Sequence, residues 1–232
     1  MAVSSLLGRA SIHEPIISCP HSNIGHSVCN KLAANGYKIA TVNRSGVGPS
    51  QYFKIKADLK DPLAVASVFK QVRESLGEPN VVIYNAAALH PVPADDAFSL
   101  DPSMFEDDLA VNVASLYATL HETVKGWKDS SLSPKVFIFT GNTLNVSDAL
   151  LPFLTVGVGK SAAAHIIDAA VKSYVSKGYK FYYADERNRD GSPVGTNRDG
   201  TAHAEAYFQL VEATEQGPWD YTFVKSKGFA KF

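Results

Sequence analysis

What the chain lacks narrows it first. It has only two cysteines in 232 residues, Cys19 and Cys29, on one local stretch. A disulfide framework is therefore not expected, and a reducing, cytoplasmic setting is. Neither cysteine belongs to a metal-ligating cluster, so no metal is expected. Neither sign of charge is in excess: 22 Lys and Arg against 23 Asp and Glu leave a net charge of −1. No strong field draws in nucleic acid or an anionic membrane surface. No apolar run approaches the length of a membrane-spanning helix, and Met1–Ile12 lack the parts of a secretory signal. Asn43-Arg44-Ser45 and Asn145-Val146-Ser147 match the glycosylation pattern, which without such a signal reads as coincidence. The most telling shortage is local. Residues 17–25 read Ile-Ser-Cys-Pro-His-Ser-Asn-Ile-Gly, and only Gly25 is a glycine. A nucleotide-binding loop between a strand and a helix uses glycine so that a pyrophosphate can reach the backbone at the helix N-terminus. Cys19, Pro20 and His21 put side chains and a ring in that place.

What is present is a full-sized apolar content, 45% of the chain, that suits one domain over 1–232. Two periods alternate along it. Strand patterns are expected near Pro15–Ile17, Tyr37–Asn43, Tyr52–Ala57, Val81–Tyr84, Lys135–Thr140, Tyr179–Ala184 and Tyr221–Val224. Helical patterns are expected over Asn23–Ala34, from Asp61-Pro62 to Leu76, over Pro102–Lys125, Phe153–Lys177 and Ala202–Ala213. This alternation predicts an α/β, Rossmann-like, doubly wound parallel sheet flanked by helices, as a single domain. Residues 185–200 read as a polar loop holding Asn-Arg-Asp-Gly twice, as two similar turns. In such sheets ligands bind beyond the carboxyl ends of the strands.

Several ordered motifs at those ends resemble the short-chain dehydrogenase/reductase superfamily along almost the whole chain. Asn23-Ile24-Gly25 resembles the end of its glycine motif. Lys56-Ala57-Asp58-Leu59 is similar to its Asp-Leu/Val pair, and Tyr84-Asn85-Ala86-Ala87 to its Asn-Asn-Ala-Gly turn. Val111-Asn112-Val113 resembles the segment that carries its catalytic asparagine, and Lys160 stands where its Tyr-x-x-x-Lys lysine belongs. Thr140-Gly141-Asn142 with Gly157-Val158-Gly159-Lys160 is also similar to a divergent fungal branch of that superfamily. The resemblance implies Ile24, Gly25, Asp58, Asn85 and Ala86 as cofactor contacts, and the polar loop 185–200 as a substrate lid. It also implies a homodimer or homotetramer through the helices near 102–125 and 153–177, with Leu109, Val113, Leu116 and Leu120 as an apolar stripe that packing on the sheet explains more economically.

The departures carry the reading. Four positions before Lys160 stands Val156, where the family's general acid is a tyrosine; valine has no proton to give. No serine lies at 141–143, and Asn142 and Thr143 are the remaining polar groups there. Arg44 follows the second strand where an acidic residue would select NAD, so any bound dinucleotide would be NADP(H); the alternative is a solvated surface arginine. Asp58 can equally cap a turn. His21 and His90 are candidate acid–base groups, whereas His26 and His165 read as structural. Tyr183, Asp185 and Glu186 end the sixth strand, with Asp185-Glu186-Arg187 read as a solvated charge run.

The favoured expectation is an enzyme that binds a small organic substrate, with secondary metabolism as the setting that the fungal resemblance implies. It promotes an isomerisation, cyclisation or elimination without a cofactor. Lys160, Asn112, Asn142, Thr143, His21, His90 and Tyr183 are its catalytic candidates. The alternatives are an NADP(H)-dependent oxidoreductase with a displaced proton donor and a non-catalytic NADP-sensing protein.

Overall fold

A computed structural model describes the backbone of residues 15–18 and all of residues 23–128 and 130–232. Among the described residues eight strands form one sheet in the order β3-β2-β1-β4-β5-β6-β7-β8. They are β1 (Pro15–Ser18), β2 (Ala40–Asn43), β3 (Phe53–Lys56), β4 (Val81–Tyr84), β5 (Val136–Thr140), β6 (Lys180–Arg187), β7 (Asp220–Val224) and β8 (Gly228–Phe229). Neighbouring strands pair in parallel except β7 and β8. The strand order reverses between β1 and β4, which opens a crevice above their carboxyl ends.

Helices α1 (Asn23–Ala34) and α6 (Gly200–Glu212) cover one face; α2 (Ala64–Ser75), α4 (Ser115–Trp127) and α5 (Leu154–Tyr174) cover the other. Side chains alternate across a strand, so each strand feeds two cores. Tyr84, Phe137, Phe139, Phe181 and Tyr183 pack on the α2, α4 and α5 side; Ile83, Ile138, Tyr182 and Ala184 pack on the α1 and α6 side. Leu116 and Leu120, whose stripe packing on the sheet explains more economically than a subunit interface, are buried in the first core. The expected doubly wound α/β fold is thus the one observed, with the antiparallel β8 added at one edge.

The sequence-based expectations need correcting at four places. The helix expected over 102–125 is interrupted. Helix α3 (Pro102–Leu109) is capped by Asp101, whose carboxylate accepts from Ser103 N at 2.8 Å, and a π turn at Ala110–Ala114 joins it to α4. Strand β6 continues to Arg187, so Asp185, Glu186 and Arg187 are buried strand residues and not a solvated run. The polar loop therefore begins at 188, not 185. The two Asn-Arg-Asp-Gly copies also differ. Gly191 closes a turn at φ +85°, whereas Asp199 caps α6 by accepting from Ala202 N at 2.9 Å.

Candidate functional site

The crevice is bordered by the segments that leave β4 and β5. After β4, Asn85 is half-buried and Ala86 buried, and the chain turns through Ala88 to His90. Asn112 fixes that turn. Its Nδ2 donates to Ala88 O and its Oδ1 accepts from Ala88 N, both at 2.9 Å. A wider π turn presents a side chain that a regular helix would rotate away, and Asn112 is central in it. The asparagine expected to be catalytic therefore spends its amide on the backbone of the loop. Gly159 of α5 makes room for it, since a Cβ there would lie 2.6 Å from Asn112 Cβ.

The same turn delivers His90 to Asp108 at the end of α3. His90 Nδ1 lies 2.9 Å from Asp108 Oδ1, and the backbone N of His90 donates to Oδ2 at 2.6 Å. Thr155 Oγ1 of α5 donates to the same Oδ2 at 2.6 Å. The Asp108 side chain is 0% exposed, whereas that of His90 is 42% exposed. A carboxylate that accepts from two other donors faces Nδ1 as an acceptor as well, so Nδ1 carries the proton and Nε2 is left as a base. Such a group can move a proton to or from a ligand. Asp108 and Thr155 were not singled out by the sequence. Glu106, Asp107 and Asp108 look alike as letters, and only packing distinguishes the buried one.

Lys160 lies one helical turn further along α5, 8% exposed. Its Nζ donates to Thr140 O at 2.6 Å and sits 4.4 Å from the Phe139 ring centroid. Burial pulls its pKa down to about 7; the Asp185 charge opposes this and Arg198 adds to it. Val156 is buried. Asn142 Oδ1 accepts from Leu144 N at 3.0 Å and starts a short turn in which Thr143 is buried.

Tyr183, expected as a proton donor at the rim, is corrected by its burial. Its hydroxyl donates to Asn142 O at 2.7 Å and accepts from Asn142 N at 3.1 Å. Burial pushes its pKa far up. It is a clamp on the β5 loop, and Gly141 leaves room for its ring. His21 lies outside the described residues. His26 is exposed, with Nε2 3.0 Å from Asn30 Nδ2.

Beyond β6 the charged groups are sealed. Arg187 Nε pairs with Asp185, and Arg187 Nη1 donates to Gly191 O at 3.0 Å. Burial pushes Asp185 up to about 6 against the pull of Arg187. Glu186 Oε2 accepts from Asp199 N at 2.8 Å, and Asn23 Nδ2 donates to Arg198 O at 3.1 Å. Both ends of the 188–199 loop are therefore tied to the body.

The fold places this chain among doubly wound α/β proteins. A family model described as short chain dehydrogenase matches residues 16–147. The chain is 40% identical over 228 residues to the short chain dehydrogenase/reductase dmxR12 of Cryptosporiopsis sp. (strain 8999), covering 91% of each. It is 24% identical over 174 residues to the 3-oxoacyl-[acyl-carrier-protein] reductase MabA of Mycobacterium bovis, covering 71% of this chain and 68% of that one. It therefore belongs to the short-chain dehydrogenase/reductase family. Two solved structures share the fold. A metagenomic short-chain oxidoreductase in complex with NADP matches with a TM-score of 0.78 at 13% identity, over 93% of this chain and 98% of that one. A 3-ketoacyl-(acyl-carrier-protein) reductase from Brucella melitensis complexed with NADH matches at 0.74 and 16%, over 87% and 91%.

The dinucleotide that this family implies meets an uneven set of residues. Arg44 and Asp58 are exposed at the ends of β2 and β3, where an adenosine phosphate would lie, although Asp58 Oδ1 already accepts from Lys60 N at 3.0 Å. At the nicotinamide end the residues do not fit. Lys160 is turned back onto Thr140 O, and Val156 is packed away. Among the described residues no helix is long and apolar enough to cross a membrane, and no group of three or more His, Cys, Asp or Glu residues is placed to hold a metal.

Proposed function

We propose that this short-chain dehydrogenase/reductase family enzyme acts on a small organic substrate by proton transfer alone, as an isomerase, cyclase or lyase without a nucleotide. The observation that carries this is Lys160. The cation that would anchor a nicotinamide ribose is buried and bonded to a strand-end carbonyl at 2.6 Å. Val156 supplies no proton beside it. Committed to the Thr140 carbonyl, the Lys160 ammonium leaves the crevice to the substrate. Titration of the purified protein with NADPH, followed by nucleotide fluorescence, tests this. The expected result is no saturation up to about 1 mM, the top of the usual range of enzyme affinities for small substrates. Micromolar binding overturns it.

One observation favours a second reading, an NADP(H)-dependent oxidoreductase. Arg44 and Asp58 stand exposed at the two strand ends on the adenosine side. Relatives named as reductases and neighbours solved with NADH or NADP add to it. On that reading NADPH binds in the micromolar range, and Arg44→Ala weakens NADPH at least tenfold while leaving NADH unchanged.

A further inference from the structure

We propose that His90, positioned by Asp108, is the group that moves the proton, and that its substrate is a carbonyl compound with an acidic C–H on an apolar, ring-bearing body. This rests on the cofactor-free reading above. The geometry divides the labour. Asp108 is wholly buried and takes three donors, two from His90 and one from Thr155, so the imidazole is fixed in position and in tautomer. The His90 side chain is nevertheless 42% exposed. An orienting carboxylate behind a half-exposed imidazole costs several polar groups their water; a surface histidine needs none of this for stability alone.

The surroundings define the substrate. Leu89 precedes His90, and Phe153 lies two residues before Thr155; both are exposed. Because His90 and Thr155 bond the same carboxylate, these two neighbours lie close to the dyad. Large apolar side chains left uncovered around one polar pair suit a ligand that buries a ring system and offers one polar function.

The step balances without a co-reactant. His90 Nε2 takes a proton from the carbon next to the carbonyl, and the C–H electron pair becomes the enolate. The imidazolium, now protonated on both nitrogens, faces Asp108. It then returns a proton to the same carbon, which regenerates the substrate, or, where a C=C bond of the substrate extends the enolate, to the far end of that dienolate, and the product is then an isomer of the substrate. In deuterated solvent the ring proton exchanges before it is returned, so the substrate acquires label.

The test is label incorporation in D2O, followed by mass spectrometry without nucleotide. The probes are α-tetralone as the apolar ring ketone and acetoacetate as the polar carbon acid. The wild-type protein is expected to label tetralone faster than acetoacetate. His90→Gln, which keeps the backbone bond to Asp108, should lower the rate about 100-fold or more. His90→Gly should regain activity with added imidazole. Asp108→Asn should lower the maximal rate with little change in half-saturation, and Phe153→Ser should raise half-saturation with little change in maximal rate. Wild-type label rates retained in His90→Gln, or no labelling above the protein-free rate in either probe with the wild type, overturn the inference. Micromolar NADPH binding instead removes the reading beneath it.

Discussion

Two histidines of this protein face carboxylates at neighbouring ends of one sheet, and they are built for opposite ends. His90 has its Nδ1 on the buried Asp108 and its far side open, with 42% of the side chain exposed. His203, on α6, has its side chain 2% exposed. Its Nδ1 lies 2.8 Å from Asp199 O and 3.4 Å from Glu186 Oε2, and its ring sits edge-on to Tyr207 and Phe223. Burial pulls its pKa down to about 4, so at neutral pH it is an uncharged wedge and not an ion-pair partner. The difference teaches that a histidine near a carboxylate is informative only with its second nitrogen. One pair buries the acid and shows the base; the other buries both.

The largest test of that contrast is to remove the buried member of the open pair. Asp108→Ala leaves the Thr155 hydroxyl and two His90 N–H groups without their acceptor, and should cost about 3 kcal/mol in urea unfolding. His90→Gln should cost under about 1 kcal/mol, since the backbone bond remains. Equal losses would make the pair a structural one like His203. A comparable effect comes from acid. The folded pKa of His203, about 4, lies below its free value of 6.5. Its contribution is therefore complete above pH 6.5 and lost as pH falls through 4, roughly 3 kcal/mol at most. Asp185 opposes this in part, because its raised value gives stability that is present below 3.8 and lost as pH rises through about 6. His203→Gln should flatten the acid limb of stability measured between pH 7 and 4; an unchanged limb would show that the wedge does not titrate on unfolding.

Two glycines of α5 sharpen the frame of the open site. Gly159→Ala drives a methyl into Asn112 and should cost about 2 kcal/mol, with the Ala88 clamp loosened. Gly157→Ala meets open space and should gain about 0.5–1 kcal/mol by helix propensity. Thermal melts of the two variants should move in opposite directions. If both fall, the space around the Asn112 clamp is not what separates them.

The fold was legible because apolar residues recur with the right periods. Val81–Tyr84 reads as a strand buried on both faces, and Val65, Val68, Phe69 and Val72 as one face of a helix, and so they are. The end of β6 was not legible. Three charged letters, Asp185-Glu186-Arg187, look like a surface run, and the Asp185–Arg187 pair and the bond from Asp199 N to Glu186 inside the sheet end are tertiary facts. The site was half legible. His90 and Lys160 stand out by residue type and by motif. Asp108 shares its composition with Asp107, which pairs with Lys60 at the surface at 2.5 Å, and nothing in the letters separates the two. Tyr183 misled for the converse reason, since a tyrosine at a strand end looks available until its ring is placed under Gly141.

The π turn at Ala110–Ala114 sets the phase between two rotors. A regular helix advances about 100° per residue, so the one extra residue of a π turn offsets everything on one side from everything on the other. Upstream, that offset aims Asp108 at His90; downstream, it aims Leu116 and Leu120 at the sheet. Deleting a single residue there would straighten the helix and retain either the chemistry or the core in register, but not both.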